Sequence, residues 1–163
     1  MNMNRKQKDY FSFESIRDNN GEVVCYHVTM IGTIEAGGEP RLRTDMGPNK
    51  DGRRAFGKLT LVNCDRKIKT LLDETDSYVS SFYSGPEGSE SVIGFTARDW
   101  RADTVYELSE GDRVLVEGRA YFRQGNDERG RKEFTVTVTG TFLIGRKRKE
   151  YHSLNEGLVP QKY

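Results

Sequence analysis

Proline, cysteine, histidine and tryptophan are all scarce in this 163-residue chain: four, two, two and one. Each scarcity narrows what the chain can be. Cys25 and Cys64 are isolated and share no Cys-x-x-Cys spacing. In a chain without an export signal they read as reduced thiols. His27 and His152 lie far apart, in neither an HExxH helix nor a Cys/His cluster, so the residue sets of zinc enzymes are missing. No GxxxxGK(S/T) loop and no GxSxG elbow occurs. Acidic pairs such as Asp73-Glu74 sit in a polar segment, where a solvated loop explains them. The expectation is a protein that is not an enzyme, with no metal, no cofactor and no small-molecule substrate. No apolar run is long enough for a membrane helix. The charged N-terminus, MNMNRKQKDYFSF, has no apolar core and does not read as a secretory signal. The expected compartment is the cytoplasm, with no membrane partner.

What is present is glycine, charge and alternation. Seventeen glycines against four prolines favour many short strands and turns over long helices. The length suits one domain with tails and suffices for a core without disulfides. Hydrophobic residues make up 34% and charged residues 31%, so part of the chain is expected as solvated loop or tail. The formal net charge is only +1, but the charges are sorted. Residues 39–58 hold six basic and three acidic residues, and 119–132 hold five and two. Residues 65–91 hold three basic and six acidic, and the tail from Gly145 holds five and two. Patches of this kind steer ligands even when the total is near zero.

Taken in order, residues 1–10 read as a flexible N-terminus. Phe11 to Ile16 is a weak strand. Asp18-Asn19-Asn20-Gly21 is a hairpin turn that makes an extra N-terminal hairpin. Glu22 to Ile34 is a strand with Val24, Tyr26, Val28, Met30, Gly32 and Ile34 on one face. Gly37 to Pro40 breaks it, and Thr44 to Gly52 reads as loop and turn. Arg53 to Asn63 is a strand with Ala55, Gly57, Leu59 and Leu61 inward and Arg54, Phe56, Lys58 and Thr60 outward. Residues 65–90 read as a long insertion loop, functional or disordered, in which Arg66 to Leu72 fits a short helix or a strand. Ser91 to Arg98 is a strand. Asp99 caps a short helix from about Trp100 to Leu108, where core packing is the simplest role for Trp100. Gly111 to Arg123 and Arg131 to Ile144 are strands joined by the hairpin QGNDERG. The last strand places Phe134, Val136, Val138, Gly140, Phe142 and Ile144 on one face. The domain spans 11–145, and 146–163 is a polar basic tail.

The fold class is all-β. Five strands with a short helix between the third and fourth fit an OB-fold barrel. The residues also resemble a family, the bacterial and phage-type single-stranded DNA-binding proteins. Val28, Met30, Gly32 and Ile34, followed by Glu39-Pro40-Arg41-Leu42-Arg43, are similar to the family's opening pattern V-x-L-x-G-x-L and its turn ending P-x-L-R. Ala55 to Val62 matches the second strand, Ile93 to Leu108 the third strand and helix, and Glu110 to Arg119 the fourth-strand pattern K-G-x-x-V-x-V-x-G. The resemblance covers roughly Val28 to Ile144. It implies single-stranded DNA as partner and a homo-oligomer, dimer or tetramer, paired through the first strand. Two positions depart from it: Arg98 and Gly125 stand where family members stack bases on aromatics. The chain also ends Leu158-Val159-Pro160-Gln161-Lys162-Tyr163 and lacks the family's acidic tip with its terminal Pro-Phe. Such a divergent member would fit replication, recombination or transfer of a phage or mobile element.

In OB folds the second and third strands and the loops joining strands one-two and four-five form the groove. Both of those loops fall in basic segments of this chain. The expected mechanism is phosphate contact together with base stacking, without strong sequence preference. The candidate DNA-binding residues are Arg41, Arg43, Arg54, Phe56, Lys58, Phe82, Tyr83, Arg98, Tyr121, Arg123 and Arg131. Each has a plainer role beside it: a solvated face for Arg54 and Lys58, a turn for Arg41 and Arg43, a loop anchor for Phe82 and Tyr83, a subunit interface for Tyr121 and Arg123. A protein-interaction barrel, a primosome-like accessory factor and an RNA-binding protein stand as alternatives, since fold does not dictate function.

Overall fold

The structure, a computed structural model, describes residues 8–35, 41–44 and 53–146. The expected break at Gly37 to Pro40, most of the loop at Thr44 to Gly52, and the tail from Lys147 lie outside the described residues. β1 (Tyr10–Arg17) and β2 (Val23–Ile34) form the N-terminal hairpin, followed by β3 (Arg41–Thr44) and β4 (Arg53–Val62). Then come α1 (Asp65–Thr75), β5 (Ser77–Tyr78), β6 (Ser81–Gly85) and β7 (Gly88–Arg98). α2 (Trp100–Tyr106), β8 (Arg113–Gln124) and β9 (Lys132–Gly145) complete the described chain.

A ring of strands closes in the order β2, β8, β9, β7, β4 and back to β2. The closing contact is short, Thr33 opposite Thr60 and Ile34 opposite Leu59. All neighbours in the ring are antiparallel except β7 and β9, which run parallel over Gly94–Thr96 and Thr135–Thr137. With α2 between the third and fourth ring strands, this is an OB-fold barrel. Alternation fills its interior. Val28, Met30, Ile34, Ala55, Leu59, Leu61, Ile93, Phe95, Ala97, Val114, Val116, Phe134 and Val136 are all buried. Burying each large side chain contributes about 1.5–3 kcal/mol. Gly57 is required opposite Phe95, since a Cβ there would stand 2.5 Å from Phe95 Cζ. Ala102 and Val105 of α2 are buried in the same core.

The N-terminal hairpin is part of the barrel wall. Its turn forms as expected: the Asp18 carboxylate accepts the N–H groups of Asn20 and Glu22 at 2.8 and 3.0 Å, with Gly21 at φ +82. β1 takes the edge of β2 that β4 leaves open, pairing Tyr10 with Ile31 through to Arg17 with Val23. Phe11 packs edge-on against Phe134, their ring centroids 6.3 Å apart. The expected N-terminal boundary therefore moves. Asp9, assigned to a flexible leader, is buried. It accepts Arg113 Nη1 at 2.6 Å and the Val62 N–H at 2.8 Å.

Four further expectations are corrected. Residues 65–90 are not a long insertion loop. Ile68 and Leu71, one helical turn apart, bury one face of α1, and the helix ends at Asp76 in the left-handed region, φ 51. β6 then turns through Pro86 and Glu87 into an N-terminal extension of β7. α2 stops at Tyr106 rather than Leu108. The last strand does not keep one apolar face. Glu117 pairs with Gly140 and Gly118 with Val138, leaving Thr139 as a bulge. The extra residue reverses the alternation, so Phe142 is 68% exposed while Leu143 packs against the core. Val24 is also exposed, because β2 runs past β8 there to pair with β1 alone.

Candidate nucleic-acid interface

β4 is the second ring strand and β7 the third, and their outer faces meet in register. Arg54 stands opposite Arg98, Phe56 opposite Thr96, and Lys58 opposite Gly94. On the other edge of β4, β3 places Arg43 opposite Arg54 and Arg41 opposite Phe56. Arg43, Arg54 and Arg98 thus occupy one row across three strands. The Arg54 guanidinium lies 5.9 Å from the centroid of the Phe56 ring. Lys58 and Arg98 are exposed. Neither forms an ion pair among the described residues.

A second row continues around the barrel. Gly94 stands beside Thr135 of β9, and Thr135 stands opposite Tyr121 of β8. The Thr135 hydroxyl donates to the Tyr121 carbonyl at 3.2 Å, and the Tyr121 ring is mostly exposed. Lys58, Gly94, Thr135 and Tyr121 therefore follow one another over four strands. Gly94, Thr96 and Thr135 were not singled out from the sequence. The alternation of β7 and β9 marks their face, but nothing in their residue types marks a site.

The remaining candidates divide. Tyr83 pairs with Glu90, which shares the outer face of Arg98 and Thr96, and it is exposed. Phe82 pairs with Ser91, which is buried on the inner side, and the ammonium of Lys69 of α1 lies 4.9 Å from the Phe82 centroid. Phe82 is thus an anchor toward α1, off the face. Arg123 donates to the Glu133 carboxylate from Nε at 3.2 Å and from Nη2 at 3.1 Å. Arg131 grips Asp127 through Nε at 2.9 Å and Nη2 at 3.0 Å. That guanidinium, with help from the N–H groups of Arg131 and Arg129, holds the Asp127 carboxyl down at about 2. Both hairpin arginines therefore carry intramolecular partners.

The hairpin between β8 and β9 has a support that was missed. Tyr78 of β5 pairs in parallel with Glu133. Its hydroxyl accepts the Asn126 N–H, and the Arg131 guanidinium lies 5.7 Å from its ring centroid. The missing hairpin aromatic at Gly125 is thus matched in space by a tyrosine from the segment read as a loop. Among the described residues, no group of His, Cys, Asp or Glu is arranged to hold a metal ion, and no helix is long and apolar enough to cross a membrane.

The class defined by these features is an OB barrel with a basic, aromatic outer face. Similar solved structures include a small single-stranded DNA-binding protein from Streptomyces coelicolor. It is 14% identical with a TM-score of 0.48, over 75% of this chain and 95% of that one. The single-stranded DNA-binding protein of Thermus aquaticus is 20% identical with a TM-score of 0.47, over 72% of this chain and 49% of that one. The SSB domain of a Synechococcus protein is 16% identical with a TM-score of 0.44, over 71% and 91%. This chain thus spans about half the length of the Thermus protein. No family model matches the sequence, and no curated protein matches it.

Proposed function

We propose that the protein binds single-stranded DNA without strong sequence preference, along the outer face of β4 and β7. The observation that carries this reading is the row Arg43, Arg54, Arg98. A phosphate backbone laid across a row of cationic residue types releases counterions on binding. Phe56, beside Arg54, and the exposed Tyr121 supply rings on which bases of any identity stack. Gly94 and the threonines between them keep the floor low enough for a strand to lie against it. Strands of this kind are exposed during replication, recombination and transfer of phage or mobile-element DNA.

The test is fluorescence polarisation of labelled oligo-dT across a salt series, with oligo-U and a duplex of equal length alongside. Binding of oligo-dT that weakens steeply with salt and exceeds duplex binding supports the proposal. Absence of binding at about 50 mM salt, where phosphate contacts are strong, overturns it. Preference for oligo-U reassigns the face to RNA.

A further inference from the structure

Trp100 is the single tryptophan of the chain, and 63% of its surface is exposed. Core packing, the sequence-based expectation, is therefore wrong for it. The reason is the turn before α2. Asp99 adopts φ 57 and ψ −128, and its N–H donates to the Arg53 carbonyl at 2.8 Å. This sets the helix phase so that Ala102 and Val105 face the core. Trp100 is left outside, two residues from Arg98.

The ring is exposed but not loose. The Arg101 guanidinium carbon lies 4.4 Å from the Trp100 ring centroid, a stacking distance. Arg101 is itself held, its Nε donating to the Thr139 carbonyl at 2.8 Å. Thr139 lies two residues beyond Thr137, the partner of Thr96. The ring thus sits next to the end of the Arg54–Arg98 row, on the β9 side. Asp103, one helical turn on, is paired with Arg53 at 2.8 Å.

We infer that Trp100, backed by Arg101, is a base-stacking platform at the end of the face, receiving a base of the single strand after its phosphates have crossed Arg54 and Arg98. This rests on the proposed DNA binding and extends it to a residue outside the expected groove. A guanidinium behind the ring pre-orders it, so little rotamer freedom is lost on stacking, and it adds a cation close to the passing phosphate.

Two readouts on one titration test this. Oligo-dT binding is followed by polarisation of a label on the DNA, and Trp100 by its own emission and its accessibility to iodide. The expected result is quenched emission and loss of iodide access as the polarisation saturates. Trp100→Ala should bind about ten- to a hundredfold more weakly, with Trp100→Phe recovering much of the loss. Circular dichroism and melting of Trp100→Ala should match the parent. Binding by polarisation with unchanged emission, and with Trp100→Ala equal to the parent, overturns the inference while the DNA-binding proposal stands. Absence of oligo-dT binding by the parent overturns both.

Discussion

The phenol oxygen of Tyr78 accepts the backbone N–H of Asn126 at 3.0 Å, joining the segment after α1 to the tip of the β8–β9 hairpin. Only glycine at position 125 permits this, because a Cβ there would lie 1.9 Å from that oxygen. The oxygen is at the far end of a side chain, so Gly125→Ala should displace the Tyr78 ring and leave the barrel folded. Tyr78→Phe removes the acceptor at a cost of about 0.5–1.5 kcal/mol. Both variants should speed hydrogen exchange at Asn126 and its neighbours, measured by mass spectrometry, with little change in the core. Unchanged exchange in both would show that the hairpin holds itself.

The Asp127–Arg131 pair makes a pH prediction. Asp127 titrates at about 2 in the fold against a reference value of 3.8. Its folded value is the lower one, so its contribution is complete above the reference value and fades as pH falls toward about 2. Hairpin order, followed by the Gly130 and Arg131 amides in NMR, should be flat from pH 5 to 8. It should decline between about pH 4 and 2. A transition near neutrality would mean that another group controls the hairpin.

Arg98→Gln should weaken binding while leaving stability nearly unchanged. Arg98 is exposed and forms no ion pair among the described residues, so its loss should change stability by no more than about 0.5 kcal/mol. The same change should weaken oligo-dT binding and reduce the magnitude of the logarithmic salt slope by roughly 0.7, the value for one lost single-strand phosphate contact. Thermal melting and the polarisation titration give the two numbers. Loss of stability together with loss of binding would make Arg98 a structural residue.

The Thr139 bulge exposes Phe142, which stands opposite Leu115, which in turn stands opposite Ile31, opposite Tyr10. Tyr10 and Phe142 at the ends of this row are exposed and Leu115 and Ile31 between them are half-buried, so the row is the expected contact between copies of the chain. β2 has no open edge along this stretch for pairing through the first strand, since β1 already fills it. Light scattering should report an oligomer that Phe142→Lys shifts toward monomer. A parent protein that is monomeric at high concentration would remove the row from consideration.

Strand existence was legible wherever one face is buried. Ala55 to Leu61 and Ile93 to Ala97 alternate cleanly because the barrel interior admits only small or apolar side chains. α1 was ambiguous because Ile68, Leu71 and Leu72 satisfy a short helix and a strand alike, and its helical phase is decided by the core it meets. The bulge at Thr139 leaves no trace in a run of alternating Thr and Val. In the site, the outer residues of β4 could be read from the same alternation that defines the core. The neutralisation of Arg123 and Arg131 could not, because it depends on side-chain reach within a hairpin. Trp100 was misassigned because a large ring is expected to be buried, and the helix phase set at Asp99 overrode that expectation.

The parallel pairing of β7 with β9 has a consequence for synthesis. Gly94 to Thr96 must wait for Thr135 to Thr137, and His27 to Thr33 must wait for Arg113 to Arg119, so the ring closes only when nearly all of the described chain has left the ribosome. Distant pairings of this kind slow folding. Until closure, the nascent β2 and β7 present open edges, and that interval is when the chain is most exposed to aggregation.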